Sequence, residues 1–358
     1  MRDIATELAS WRAAGKRFAL ASVIGVSGSA PRPLGTALAV DEAGVAVGGV
    51  SGGCVEGAVY DACLEVLETG HARVERFGYS DEDAFAVGLT CGGEVDVLVV
   101  AVETTDDAYD RVLGALHSGD GIALCRYIDG PETGRAFTVR ADADGWGVDR
   151  AVVAMLSRGE SGRLDVPDGT VAVEAHLPPP RLIVFGAIDF AAALVTMGKF
   201  LGYHVTVCDA RPVFATEQRF PAADEVVVDW PHRYLESTSI DDRTAVCVLT
   251  HDAKFDVPLL ERALCLPLGY VGAMGSRRTH QHRRDRLIEV GLTDRELARL
   301  RSPIGLDLGG HTSEETALSI AAEMVALGHG ATGRLLSETD TPIHRRKAGR
   351  QPVPTATT

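Results

Sequence analysis

The chain has 358 residues, 46% hydrophobic and 24% charged, with a formal net charge of −15. This is the composition of a globular protein with room for two sizeable cores. The acidic balance argues against nucleic acid or an anionic membrane surface as the main partner, while leaving local basic pockets open. Seven cysteines, an odd number with no CxxC pair, argue against a disulfide scaffold or a zinc ribbon and read as free thiols.

The first twenty residues carry Arg2, Asp3, Glu7, Arg12, Lys16 and Arg17, which interrupt any apolar run. No signal peptide or membrane span is expected, and a cytoplasmic location is the default. Residues 1–15 read as a short helix with Ile4, Leu8 and Trp11 on one side, and Phe18 to Val26 as a strand. Gly28-Ser29-Ala30-Pro31-Arg32-Pro33 follows. It reads either as a proline-stiffened turn or as an anion clamp, with Arg32 held out by its flanking prolines and Ser29 adding a donor. Thr36 to Val40 and Val45 to Val50 form a hairpin around Asp41-Glu42-Ala43-Gly44.

That hairpin leads into Gly48-Gly49-Val50-Ser51-Gly52-Gly53-Cys54-Val55-Glu56-Gly57. Val55, Val59, Ala62, Cys63, Val66 and Leu67 then recur at helical spacing, which predicts Cys54 near the first turn of a helix behind a glycine-rich turn. Free amides at a helix start favour an anion or a thiolate there. The alternative is a small buried apolar cysteine behind an ordinary turn. A strand over His71 to Phe77 precedes a second turn of the same kind, Gly88-Leu89-Thr90-Cys91-Gly92-Gly93, and the strand Val95 to Val100. Two such turns in one small domain favour a functional pair, with Cys54 and Cys91 facing one pocket as two thiolates suited to a sulfur-bearing ligand or a persulfide. No His or Cys spacing completes a four-ligand metal set. Cys63 and Cys125 fall on apolar faces and read as core. Asp106 to Leu116 and Ala151 to Leu156 are predicted helices. Ile122 to Tyr127, Ala136 to Val139 and Thr170 to Glu174 are predicted strands.

Pro178-Pro179-Pro180 marks a linker. Beyond it an apolar strand, a turn at Gly186, a helix through Leu201 and a strand ending at Asp209 make the start of a dinucleotide-binding βαβ unit. The G-x-G-x-x-G/A pattern reads here as Gly186, Ile188 and Ala191, so the middle glycine is missing. Asp209 is placed for a ribose and Arg211 for a 2′-phosphate, leaving NAD and NADP both open. Glu225 to Val228 and Thr244 to Thr250 are further strands. His251 and Asp252 follow at a carboxyl end, where open α/β sheets place their sites. Val257 to Leu264 is a predicted helix. The strand from Gly269 enters Met274-Gly275-Ser276-Arg277-Arg278 and a basic helix, read largely as a solvated face, in which Ser276, Arg277 and Arg278 are candidates for holding phosphate or a partner's carboxylates. A last helix is capped by Thr312 or Ser313, with Glu314 and Glu315 in its first turn.

These motifs together resemble the XdhC/CoxI family, maturation factors for molybdenum hydroxylases such as xanthine dehydrogenase. The stretches that carry the resemblance are 28–33, 51–57, 88–93, 250–252, 270–278 and 303–307, in the family's order. The resemblance implies binding of the molybdenum cofactor (molybdopterin or its dinucleotide form), support of its sulfuration by a cysteine desulfurase, and transfer to an apo molybdenum hydroxylase. On that reading Cys54 and Cys91 contact the metal or its sulfur. Ser29, Arg32 and the Gly52-Gly53 backbone hold the phosphate. The Gly186 turn and Asp209 hold a nucleotide moiety, with His251, Ser276 and Arg277 as further cofactor-binding candidates. Ile188 and Asp189 stand where a typical member has Gly and often His. The alternative is an NAD(P)-dependent oxidoreductase using the Rossmann-like half, with a redox-sensing dithiol as a third reading. The expected architecture is α/β: an N-terminal mixed α/β domain over 1–177, a C-terminal Rossmann-like doubly wound domain over 181–330, and a flexible tail over 331–358. A homodimer is expected from the general frequency of twofold assemblies.

Overall fold

The structure, a computed structural model, describes residues 1–27, 32–53, 55–78, 93–143 and 147–340. The chain divides into two compact units, Met1–Pro178 and Pro179–Thr358. The tail expected from residue 331 is described as far as residue 340 and includes a short 3-10 turn, Leu336–Glu338.

The first unit runs α1 (Ala5–Ala13), β1 (Phe18–Ser27), β2 (Ala37–Asp41), β3 (Ala46–Gly48), α2 (Glu56–Thr69), β4 (Arg73–Phe77), β5 (Glu94–Val102), α3 (Asp107–Ser118), β6 (Ile122–Tyr127), β7 (Ala136–Arg140), α4 (Val148–Ser157), β8 (Gly162–Val166) and β9 (Gly169–His176). Five strands make an antiparallel sheet in the order β3-β2-β1-β5-β4, and four make a second in the order β7-β6-β9-β8. Period-2 alternation sorts the side chains of β1. Ala19, Ala21 and Val23 join the core under α2, with Val59, Ala62, Cys63 and Val66. Phe18, Leu20 and Ile24 face the other way, into a core shared with α1, α3 and the second sheet through Leu124 and Ala172. Arg126 of β6 crosses this interior, donating to Ser22 Oγ at 2.7 Å and to Glu174 Oε2 at 2.9 Å. Cys63 and Cys125 are buried. Burial pushes both thiols up to about 12, so neither is ionised near neutrality.

The second unit runs β10 (Arg181–Phe185), α5 (Asp189–Phe200), β11 (His204–Cys208), β12 (Glu225–Val227), α6 (Pro231–Ser237), β13 (Ala245–Val248), α7 (Ala253–Cys265), β14 (Tyr270–Ala273), α8 (Arg277–Glu289), α9 (Asp294–Leu297), β15 (Leu300–Arg301) and α10 (Ser313–Gly328). Its six parallel strands take the order β12-β11-β10-β13-β14-β15. This is the doubly wound Rossmann order, reversing between β10 and β13. Both faces are covered, which is why the strands read as near-continuous apolar runs. Leu182 and Val184 pack under α5 and α10, and Ile183 and Phe185 under α6, α7 and α8. Among the described residues no helix is long and apolar enough to cross a membrane.

Leu98 of β5 is fully buried between α1, α3 and the two sheets of the first unit. Leu98→Ala is expected to destabilise that unit by about 2–5 kcal/mol through lost transfer energy and a residual cavity. Amide exchange across β1 and β5 in the full chain measures it: protection there falls, while β10 and β13 keep theirs.

Candidate functional site

The registers of the first sheet place one set of strand ends together. Ser27, the last residue of β1, pairs with Glu94, the first of β5. Phe77, the last of β4, pairs with Val95. Ala37, the first of β2, pairs with Ser22, and Gly48, the last of β3, pairs with Leu38. Strands that alternate in direction thus release the chain at the same edge. Three segments leave there: the one with Ser29 and Arg32, the one with Gly52, Gly53 and Cys54, and the one with Cys91. Ser29, Cys54 and Cys91 themselves lie outside the described residues. Arg32 is exposed.

Between β3 and α2 the chain makes a compact turn. Val50 and Val55, both fully buried, anchor its two sides in the core beneath α2. Gly52 and Gly53 have φ of +99° and +129°, a region that favours glycine. Helix α2 begins at Glu56, with Val55 as an N-cap residue that makes no side-chain cap. The Glu56 carboxylate reaches back over the turn. Its Oε1 accepts from the amides of Ser51 (2.9 Å) and Gly52 (2.8 Å), and its Oε2 from the amide of Gly53 (2.8 Å) and the Ser51 hydroxyl (2.6 Å). Burial works to raise this carboxyl; the Ser51 hydroxyl and the backbone donors outweigh it and hold the group at about 2. Successive amides converging in this way form an anion-binding nest. Gly52 and Gly53 were expected to offer their backbone to a phosphate. Here those amides carry the chain's own carboxylate, because Glu56 lies just beyond the turn and its side chain spans the gap. Glu56 had no role assigned from sequence, since its spacing from Ser51 does not match a capping box.

At the carboxyl edge of the parallel sheet, Gly186 follows β10 with φ +110°, and a Cβ there would lie 2.8 Å from Thr250 Cγ2. The turn therefore requires glycine for its close approach to the end of β13. Asp209, after β11, is 3% exposed. Its Oδ2 accepts from Ala187 N (2.9 Å) and Arg211 Nη2 (2.8 Å), and its Oδ1 from Arg211 N and Nε (both 2.9 Å). Four donors fill the acceptor sites of a carboxylate. Arg211, expected at a 2′-phosphate, is thereby committed to Asp209, and it also stacks on Phe214 at 4.5 Å. Ile188 takes the N-cap position of α5 without a side-chain cap, and the exposed Asp189 carboxylate in the first turn pairs with Arg219 at 3.2 Å. The dinucleotide fit is poor on three counts: the ribose acid is saturated, the Ala187 amide is taken, and a carboxylate stands at the helix end where pyrophosphate would lie.

His251 is exposed beside Asp252, which caps α7 through Lys254 N at 3.1 Å. Ser276 caps α8, accepting from Thr279 N at 3.1 Å, while Arg277 and Arg278 stay exposed. The basic α8 is not solvated all round. Arg283 is buried and donates to Asp256 Oδ2 (2.8 Å), Met274 O (3.0 Å) and Ser302 Oγ (3.2 Å), and Thr250 Oγ1 bonds the other Asp256 oxygen. Spacing gives the reason: Arg283 and the fully buried Leu287 are one helical turn apart on the inward face. Among the described residues no group of three or more His, Cys, Asp or Glu is placed to hold a metal ion.

Comparison with known proteins gives a consistent result. The family model described as the XdhC Rossmann domain matches residues 182–324, and that of the XdhC and CoxI family matches residues 11–78. A Bacillus subtilis (strain 168) protein, named as a probable xanthine dehydrogenase subunit, is 27% identical over 317 residues, 86% of this chain and 92% of that one. The molybdenum cofactor insertion chaperone PaoD of Escherichia coli (strain K12) is 28% identical over 313 residues, 87% and 84% of the two chains. A crystal structure described as a xanthine dehydrogenase from Bacillus halodurans matches with a TM-score of 0.70 at 26% identity, over 95% of this chain and 98% of that one.

The ion pair at Asp209 generates a pH prediction. Burial works to raise its carboxyl, and Arg211 and the Ala187 amide outweigh it and hold the group below the usual range. A depressed carboxyl stabilises fully above its unfolded value, about 3.9, and that contribution fades as pH falls further. Asp209→Asn is expected to cost about 2 kcal/mol at pH 7. Thermal melts of both proteins should show the gap narrowing below pH 4; a gap constant with pH would assign the loss to packing instead.

Proposed function

The chain belongs to the XdhC/CoxI family, and on that premise we propose that it is a maturation factor for a molybdenum hydroxylase of the xanthine dehydrogenase kind. It receives the molybdenum cofactor as cargo, supports its sulfuration by a cysteine desulfurase, and delivers it to the apo-enzyme. The observation that carries this reading is the convergence of the Arg32, Gly52-Gly53 and Gly93 segments on one edge of one sheet.

Each donor type matches a part of the cargo. The thiolates of Cys54 and Cys91 are soft ligands suited to molybdenum and its terminal sulfide. The Arg32 guanidinium, with Ser29 beside it in sequence, offers a forked donor to the phosphate. Reversible contacts of this kind suit a carrier, which must release what it binds. The PaoD name, a molybdenum cofactor insertion chaperone over 84% of whose length this chain aligns, supports the same reading. In the second unit a nucleotide tail falls to Gly186, which follows β10, and to His251, Ser276 and Arg277 on the segments after β13 and β14. Asp209 joins them only if Arg211 leaves it. An NAD(P)-dependent oxidoreductase is the weaker alternative, since it needs the saturated Asp209 carboxylate.

Anaerobic incubation with cofactor released from a mature hydroxylase, followed by removal of the free cofactor, tests the carrier directly. Near-stoichiometric molybdenum and pterin on the wild type are expected, with a clear loss in Cys54→Ala, Cys91→Ala and Arg32→Ala. Retention indifferent to all three would move the site away from this edge, and no retention would end the carrier reading. In a parallel titration, NADH and NADPH are expected to give no saturable binding; saturation would favour the oxidoreductase.

A further inference from the structure

The carrier reading leaves Glu56 without a task, although it is the most fully engaged side chain of the Cys54 turn. A capping-box glutamate reaches back to the amide of its N-cap residue, as Glu315 does to Thr312. Glu56 reaches further: it accepts from the amides of Ser51, Gly52 and Gly53, all upstream of the N-cap residue Val55. Its fourth donor, the Ser51 hydroxyl, also accepts from the Val55 amide at 3.2 Å. The residues on both sides of Cys54 in the chain, Gly53 and Val55, are therefore tied to the same Ser51–Glu56 pair. Val50 and Val55, buried on either flank, fix the ends of the turn.

We propose that Glu56 is the positioning residue of the cysteine turn: its carboxylate fills the amide nest as a built-in anion and holds the segment that presents Cys54 to the cofactor, without touching the cofactor itself. With the nest filled from within, the cargo's phosphate is left to the Arg32 segment. The proposal rests on the reading of Cys54 as a cofactor contact, and its test keeps the two apart.

The test uses the full chain in four forms: wild type, Glu56→Ala, Glu56→Gln and Ser51→Ala. Alkylation by iodoacetamide is followed over time and mapped by peptide mass. Cys63, fully buried on the inner face of α2, reports in the same sample whether the unit is still folded. Glu56→Ala is expected to raise the Cys54 alkylation rate at least about tenfold, the effect of losing one charge-assisted hydrogen bond of a local closing equilibrium. Cys63 should stay unlabelled, and formate should return the rate toward wild type by supplying the missing carboxylate. Ser51→Ala and Glu56→Gln should give intermediate rates; they carry the decision if Glu56→Ala exposes Cys63. An unchanged Cys54 rate in all three variants, with Cys63 protected, would overturn the proposal. Formate failing to slow alkylation in a folded Glu56→Ala would also overturn it, because a filled nest is the whole of the mechanism. Cofactor retention is read separately. Faster alkylation with undiminished retention would leave Glu56 as the residue that holds the turn and remove Cys54 from the cofactor contacts.

Discussion

The first unit depends on the pairing of β1 with β5. This ladder runs from Phe18 opposite Val102 to Ser27 opposite Glu94, through the irregularity between Val23 and Gly25. Because side chains alternate along a strand, a slip of one residue would turn Leu20 and Leu98 out of one core and Ala21 and Val97 out of the other. The two cores therefore enforce the register from both sides. The same register sets the strand ends from which the motif segments leave. These segments are far apart in sequence, and two of those ends lie side by side because Ser27 pairs with Glu94.

Much of this was legible beforehand, and the reasons are local. The strands of the second unit are apolar on both faces, so they read as continuous runs, and the turn at Gly186 followed by an acid after β11 carried the Rossmann order. Thr312 with Glu315 is a capping box that names its own helix start. What escaped were elements and pairings set by distant parts of the chain. Strand β8 alternates between half-buried and exposed residues, including Arg163 and Asp165, and pairs with β9 at a sheet edge, so it lacks an apolar signal. Helix α6 opens with Pro231, a residue tolerated in a first turn but normally read as a break. The burial of Arg283 follows from Asp256 on another helix. No window along the sequence contains that information.

Both candidate regions share a feature that neither motif announces. The groups expected to meet a ligand are already satisfied by the chain. Glu56 supplies the anion for the Gly52-Gly53 amides, and Arg211 with Ala187 supplies the donors for Asp209. For the buried Asp209 carboxylate such partners offset the cost of burial; the exposed Gly52 and Gly53 amides are ordered by Glu56 without that cost. A motif therefore identifies a place in the fold more securely than it identifies which of its atoms are free to bind.

The buried pair of Asp256 and Arg283 has a consequence for how such a chain changes over generations. Losing one partner strands a charge in the interior, at about 3–5 kcal/mol, whereas exchanging both for apolar residues of similar size is roughly neutral. The two positions lie on different helices, yet neither can drift alone. Met274, Ser302 and Thr250, at the ends of three neighbouring strands, hang from the same pair. The loops along that edge thus share one constraint: the spacing between them rests on a pair that is kept whole or exchanged whole.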